Sequence, residues 1–261
     1  MHPMLNIAIQ AARSAGKIIV RFLDHLETSD VNEKSRHDFV TKADQMAEKE
    51  IIEQIRRRYP SHSIIAEESE PVHGDRFCWI IDPLDGTTNF IHGLPQFAVS
   101  IALRIDEKLT VGVVYDPIKD ELFTAERGKG AQLNNRRIRV SNCLKMENAL
   151  LGTGFPCRNT EKLPYYLKTF ATLFPNSAGV RRMGAASLDL AYLAAGRLDA
   201  FWEMDLSIWD IAAGALLVVE AGGMVSDFQG EEKYLENGHI VAASPKLHKP
   251  LLDALVETKR E

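Results

Sequence analysis

Apolar residues recur at three- and four-residue steps at Leu5, Ala8, Ile9, Ala12, Ala15, Gly16, Ile19 and Leu23, which places them on one face of a helix. Residues 27–38 are polar and aperiodic and carry no core pattern. Beyond the Val40–Asp44 stretch the helical period returns, with Ala47, Ile51 and Ile55 on one face until Pro60 stops it. Short apolar runs then take over. The run 63–66 ends at Glu67 and Glu68, and the run 78–81 ends at Asp82. Each reads as a buried strand that delivers an acid at its carboxyl end. Residues 97–105, 109–116 and 121–125, separated by short turns containing Asp, Lys or Pro, predict an antiparallel meander. Gly128 and Gly130 follow a strand with no helical pattern after them, so they read as a hairpin turn rather than a phosphate loop.

From residue 149 onward, strand and helix alternate. Extended runs are predicted at 149–155, 179–183, 199–204, 224–228 and 239–243. Helices are predicted at about 162–173, ended by Pro175, at 187–195, closed by Gly196, and from Trp209 through Glu220, stopped by Gly222 and Gly223. A last helix follows Pro245. No linker, low-complexity run or solenoid repeat divides the chain. It is expected to be one domain over 1–261, with approximate halves 1–145 and 146–261.

Composition narrows the partners. The 261 residues are 45% hydrophobic and 26% charged, as in ordinary globular proteins, and the net charge of -5 gives no electrostatic case for nucleic acid as the main ligand. Arg13, Lys17 and Arg21 interrupt the first apolar stretch, so no signal peptide is expected there, and no run is long enough for a membrane span. Cys78, Cys143 and Cys157 are too few and too scattered for a disulfide framework or a zinc site, and the chain reads as cytoplasmic. Cys78, inside a strand, reads as a small buried hydrophobe.

The chemistry lies in the acids. Asp82 and Asp85 flank Pro83 at a strand end, and Gly86, Thr87 and Thr88 follow with backbone N–H groups and hydroxyls suited to a phosphate. A plain Pro/Asp turn accounts for the same residues equally well when they are taken alone. Asp44 and Asp210 each stand at a helix start, where the helix dipole alone favours an acid. One hypothesis unites Glu67, Asp82, Asp85 and Asp210: a shared site in which divalent cations offset the repulsion of four carboxylates. Hard oxygen ligands without a Cys/His cluster point to Mg²⁺, and a phosphate cradle beside them points to metal-assisted phosphate hydrolysis.

Two segments carry a resemblance: Trp-Ile-Ile-Asp-Pro-Leu-Asp-Gly-Thr-Thr-Asn-Phe at 79–90 and Trp-Asp-Ile-Ala-Ala-Gly at 209–214, with Ala-Glu-Glu-Ser at 66–69 in support. On these the chain resembles the inositol monophosphatase family, its bacterial inositol-1-monophosphatases in particular, from end to end. The resemblance implies a layered α/β/α/β/α sandwich of the inositol monophosphatase and fructose-1,6-bisphosphatase type, lithium inhibition and a homodimer. It implies two or three Mg²⁺ ions held by Glu67, Asp82, the carbonyl of Leu84, Asp85, Thr87 and Asp210. Asp44 corresponds to the acid paired with Thr87 around the attacking water, and Gly86, Thr87 and Thr88 to the phosphate cradle. Asp85, Ala186 and Glu203 correspond to positions that hold inositol hydroxyls, and Lys34 to a residue of a mobile loop. Glu67 belongs with Asp44 and Thr87 in the catalytic set. The implied reaction is in-line attack of a metal-activated water on inositol 1-phosphate, with no covalent phosphoenzyme.

Ala185 departs from the family by standing where many relatives carry Thr or Ser. Related enzymes with the same acids hydrolyse fructose-1,6-bisphosphate, 3′-phosphoadenosine 5′-phosphate, histidinol phosphate or NADP, and these remain alternatives. Bacterial members also imply a second role in ribosomal RNA transcription antitermination with Nus factors and RNA polymerase. For that role, Arg136-Arg137 and Arg181-Arg182 are candidate contacts, though each pair is also ordinary solvated charge.

Overall fold

In the computed structural model the described residues are 3–23, 31–35, 38–157 and 159–260, without the side chains of 31–39, 257, 259 and 260. Helix α1 (Pro3–Leu23) leads to a ribbon of β1 (Val31–Ser35) and β2 (Asp38–Thr41), then to α2 (Lys42–Arg58). Strands β3 (Ser63–Ala66) and β4 (Phe77–Asp85) follow, then the short α3 (Thr87–Ile91). The meander is β5 (Ala98–Ile105), β6 (Lys108–Asp116), β7 (Glu121–Glu126), β8 (Gly130–Leu133) and β9 (Arg136–Arg137). The second half runs β10 (Leu150–Thr153), α4 (Leu163–Leu173), β11 (Gly179–Arg181), α5 (Ala186–Ala194), β12 (Ala200–Glu203) and α6 (Ile208–Glu220). It ends with β13 (Met224–Ser226), α7 (Tyr234–Asn237), β14 (Ile240–Ala243) and α8 (Pro245–Arg260).

Strands β3 to β9 form a seven-stranded sheet in sequence order, and a five-stranded sheet has the order β11-β10-β12-β14-β13. Only β3 and β4 are parallel in the first; all its other pairs are antiparallel. Helices α1 and α2 cover the outer face of the first sheet, α5 and α6 fill the space between the sheets, and α4 and α8 cover the far face of the second. The result is the expected α/β/α/β/α layering. Alternation along β4 decides which core each residue enters: Trp79 and Ile81 face α1 and α2, while Cys78 and Ile80 face α5 and α6.

Helix α6 lies between two sheets, so it is apolar almost all round, with Ile211 through Val218 buried. Close packing there rests on small residues. A Cβ at Gly112 would lie 2.9 Å from the Ala213 carbonyl oxygen, and one at Gly214 would lie 2.6 Å from Leu190 Cβ. Gly128 and Gly130 sit in the β7–β8 hairpin as predicted, where Lys129 N–H donates to the Glu126 carbonyl (2.9 Å).

Two local expectations need correcting. Pro83 does not end its strand: β4 continues to Asp85, with the register against β5 broken between Asp82 and Asp85. A bulge accommodates a residue that has no N–H to give to the ladder. The polar stretch 27–38 is not wholly irregular either, since β1 pairs with β2. Lys34 stands on β1, and its side chain lies outside the described residues.

Candidate active site

Two topological facts collect the acids. Parallel pairing of β3 with β4 puts both carboxyl ends on one edge, so Glu67 and Asp82 emerge side by side, and Glu67 N–H donates to the Ile81 carbonyl (3.2 Å). Three helices then start at that edge. Asp44 lies in the first turn of α2, Ser187 in that of α5 and Asp210 in that of α6. Carboxylate oxygens of Asp82, Asp85 and Asp210 come within 4.8 Å of one another. Asp82 and Asp85 are buried, and Asp210 and Glu67 are half-buried.

Each acid is oriented by backbone or hydroxyl donors. Leu84 N–H donates to Asp82 Oδ1 (2.9 Å), which holds the bulge. Ser187 donates to Asp85 Oδ2 twice, from its N–H (2.7 Å) and its hydroxyl (2.5 Å). Ser207 N–H donates to Asp210 Oδ2 (2.6 Å) in the capping arrangement of α6. Asp44 Oδ2 accepts from Thr41 N–H (2.9 Å) and the Thr41 hydroxyl, closing the same kind of box on α2. Its other oxygen accepts from the Thr87 hydroxyl (3.2 Å), which also reaches the Leu84 carbonyl (3.0 Å). Thr87 therefore joins Asp44 to the aspartate cluster.

Without a counter-charge this cluster is electrostatically unfavourable. Burial pushes the Asp85 carboxyl up to about 7, the neighbouring Asp210 adds to it, and the two Ser187 hydrogen bonds oppose the rise. Asp82 is pushed well above the usual carboxylate range by burial first and then by Glu67, Asp85 and Asp210. Asp44 rises to about 6 through burial, against the lowering effect of its bonds to Thr41. An all-oxygen, multiply negative set with bulged backbone and no Cys or His fits a hard divalent cation. Asp82, Asp85 and Asp210 could hold one directly.

The acids line one end of a cavity of about 670 Å³, within the usual range for small-molecule sites. Glu67, Asp82, Leu84, Asp85, Gly86, Thr87, Thr88, Ala186, Glu203 and Asp210 all border it. Glu203, last residue of β12, packs over Gly154, where a Cβ would lie 1.7 Å from Glu203 Oε1. Gly86 adopts φ 91°, and a Cβ there would meet the Gln96 carbonyl oxygen at 2.8 Å, so the backbone entering α3 is open to glycine alone.

The sequence profile described as the Inositol monophosphatase family matches residues 1–261. The chain belongs to the inositol monophosphatase family. It is 55% identical over 261 residues to Nus factor SuhB of Pseudomonas aeruginosa, covering 98% of this chain and 96% of that one. Among solved structures it resembles the extragenic suppressor protein suhB of Bartonella henselae at 44% identity and a TM-score of 0.95, over 97% of this chain and 98% of that one. It also resembles the staphylococcal SaIMPase-II solved with inositol monophosphate bound, at 27% identity and a TM-score of 0.82, over 99% of this chain and 95% of that one.

Within this inositol monophosphatase fold, several residues that shape the site carried no signal in the sequence. Ser187 and Thr41 orient the acids, and Asn89 Nδ2 donates to the Met183 carbonyl (2.8 Å) and the Gln96 carbonyl (2.8 Å), tying α3 to the loop before α5. Arg182, its guanidinium over the Phe155 ring (5.5 Å), borders the cavity with Phe155 and Cys157. Asp44 is not itself on the cavity wall and reaches it through Thr87. Ala185 is buried against Gly86, so a hydroxyl at this position would lie at that contact. Cys78 is buried and its thiol is pushed up by that burial, as expected of a core residue.

Proposed function

We propose that this protein is a Mg²⁺-dependent, lithium-sensitive phosphomonoesterase that hydrolyses inositol 1-phosphate to inositol and phosphate. The observation that carries this reading is the convergence of Asp82, Asp85 and Asp210 within 4.8 Å beside the Thr87–Asp44 pair. Asp82, Asp85, Asp210, Glu67 and the Leu84 carbonyl would hold two or three Mg²⁺ ions. Bound there, the ions would offset the carboxylate charge, acidify a water and stabilise the departing alkoxide. The backbone of Gly86 to Thr88 receives the phosphate. Thr87 orients the attacking water, and Asp44 takes up a proton relayed through the Thr87 hydroxyl. Burial, opposed by its bonds to Thr41, makes this carboxyl more basic than an ordinary aspartate, which suits it to that task. Asp85, Ala186 and Glu203 hold the inositol hydroxyls, the two carboxylates by accepting hydrogen bonds from them.

Support for the substrate comes from SaIMPase-II, whose structure holds inositol monophosphate. Fructose-1,6-bisphosphate, 3′-phosphoadenosine 5′-phosphate, histidinol phosphate and NADP are the competing esters. Turnover of each, measured side by side in Mg²⁺, tests the choice. A rate with inositol 1-phosphate more than about 100-fold below that of another ester would overturn it. Asp82→Asn and Asp210→Asn should each abolish hydrolysis.

The relatives named Nus factor SuhB favour a second role, in ribosomal RNA transcription antitermination with Nus factors and RNA polymerase. Arg136, Arg137, Arg181 and Arg182 are all exposed and available for such contacts. Antitermination that survives Asp82→Asn would separate this role from catalysis. The homodimer is supported by exposed apolar side chains, Leu167 on α4 and Phe174 just beyond its end. Among the described residues no helix is long and apolar enough to cross a membrane.

A further inference from the structure

Glu203 ends β12 and Asp210 sits in the first turn of α6, so the loop joining them decides how far the hydroxyl-facing carboxylate stands from the ion-facing one. That loop reverses at Asp205, which has φ 59°. This is the left-handed region, tolerable for Asp but free of cost only for glycine. Asp205 is held there from two sides. Lys162, on the 3₁₀ turn before α4, donates to Asp205 Oδ1. His239 Nδ1 accepts from Asp205 N–H (3.3 Å). The next residue is pinned as well, since Leu206 N–H donates to the Gly238 carbonyl (3.0 Å) and a Cβ at Gly238 would lie 2.2 Å from the Leu206 carbonyl oxygen. The second carboxylate oxygen of Asp205 is buried without a hydrogen-bond partner, and Asp205 borders the active-site cavity. A site shaped by stability alone would place glycine at this reversal. An acid here accepts both a backbone cost and a desolvated oxygen, and in return fastens the loop to a different layer of the molecule.

We propose that the Lys162–Asp205 ion pair is a positioning latch that fixes the separation of Glu203 and Asp210, and through it the fit of the substrate's hydroxyls and the affinity for the cation. The latch rests on the site reading above. Neither residue belongs to the aspartate cluster or to the Gly86–Thr88 cradle. Burial, and then Lys162, hold the His239 ring below its ordinary pKa; with Nδ1 accepting from Asp205 N–H, Nε2 carries the ring proton 3.4 Å from Lys162 Nζ.

The test uses the full chain with Lys162→Met, Asp205→Gly and the double variant. Asp205→Gly relieves the backbone cost, so its thermal midpoint should stay within a few degrees of the parent while the latch is lost. In both single variants amide exchange of residues 204–210 should quicken roughly tenfold, with the rest of the chain unchanged. The Mg²⁺ dissociation constant by calorimetry and KM for inositol 1-phosphate should each rise roughly 3- to 10-fold, kcat staying within about twofold. The double variant should be no worse than either single one, and Lys162→Arg should restore most of the fit. Unchanged exchange at 204–210 would overturn the latch. So would faster exchange with neither KM nor Mg²⁺ affinity moved, or additive single effects. A parent enzyme that ignores inositol 1-phosphate would count against the substrate reading only, because exchange and Mg²⁺ titration still decide the latch.

Discussion

The two hydrogen bonds from Ser187 to Asp85 make Ser187→Ala the most informative substitution in the site. The hydroxyl bond, 2.5 Å long and buried, is lost, while the backbone N–H bond is retained. A hydrogen bond to a charged group contributes about 1.5–3 kcal/mol, and one pKa unit is about 1.4 kcal/mol. The Asp85 carboxyl, already at about 7, should therefore rise by roughly 1.5 units. The ionised carboxylate loses the same bond whether or not a cation is present, so the intrinsic affinity of the ionised form changes little. The effect arises from proton competition, because Mg²⁺ binds only the ionised form. At pH 6.5 the added proton competition at Asp85 should weaken binding by a factor of roughly 25 relative to the parent. At pH 8.5 the ratio falls to roughly 2. Mg²⁺ calorimetry on the metal-free protein across this range reads the ratio directly. An affinity loss that does not change with pH, or no loss at pH 6.5, would refute the role given to Ser187 and to Asp85.

Four further outcomes follow from the same geometry. Gly154→Ala drives a Cβ into the space of Glu203 Oε1, so KM for inositol 1-phosphate should rise while Mg²⁺ affinity by calorimetry stays constant. The folded-state pKa values of Asp44 and Asp85 lie above those of an unfolded chain. Their contribution to metal-free stability is thus fully present below about pH 4 and lost as pH rises through about 6 to 7; Mg²⁺ should raise the thermal midpoint more at pH 8 than at pH 5. His62 runs the other way: its Nδ1 accepts from Trp79 Nε1–H (3.0 Å), and burial lowers its pKa. That contribution is present above about pH 6.5 and lost as pH falls, and His62→Phe, which strands the indole N–H, should cost about 1–3 kcal/mol in denaturant unfolding. Gly214→Ala should cost about 1–3 kcal/mol in the same assay, because its Cβ meets Leu190 at 2.6 Å where α5 crosses α6.

Much of this was legible along the chain because it is local. Periodicity marked α1 and α2, the meander from β5 to β7, and the apolar helix α6, since each pattern reflects one element's exposure to one core. The acids at the ends of β3 and β4 were visible for the same reason, and the segments 79–90 and 209–214 identified the family. Pro83 misled because a bulge lets a strand pass through a residue that usually stops one. What spacing could not supply was distance between elements far apart in sequence. Glu67 meets Asp82 because β3 and β4 are parallel, and Asp210 joins Asp82 and Asp85 because α6 packs against β4 between the two sheets. Ser187, Thr41, Asn89 and the Lys162–Asp205 pair look like ordinary polar residues until the layers stack, and only then do they face the groups they orient. Composition and pattern determined which elements form and which acids they carry. Tertiary packing decided which of those acids meet, how deeply each is buried and which donors oppose its protonation, because burial and through-space charge depend on neighbours that the linear order does not specify.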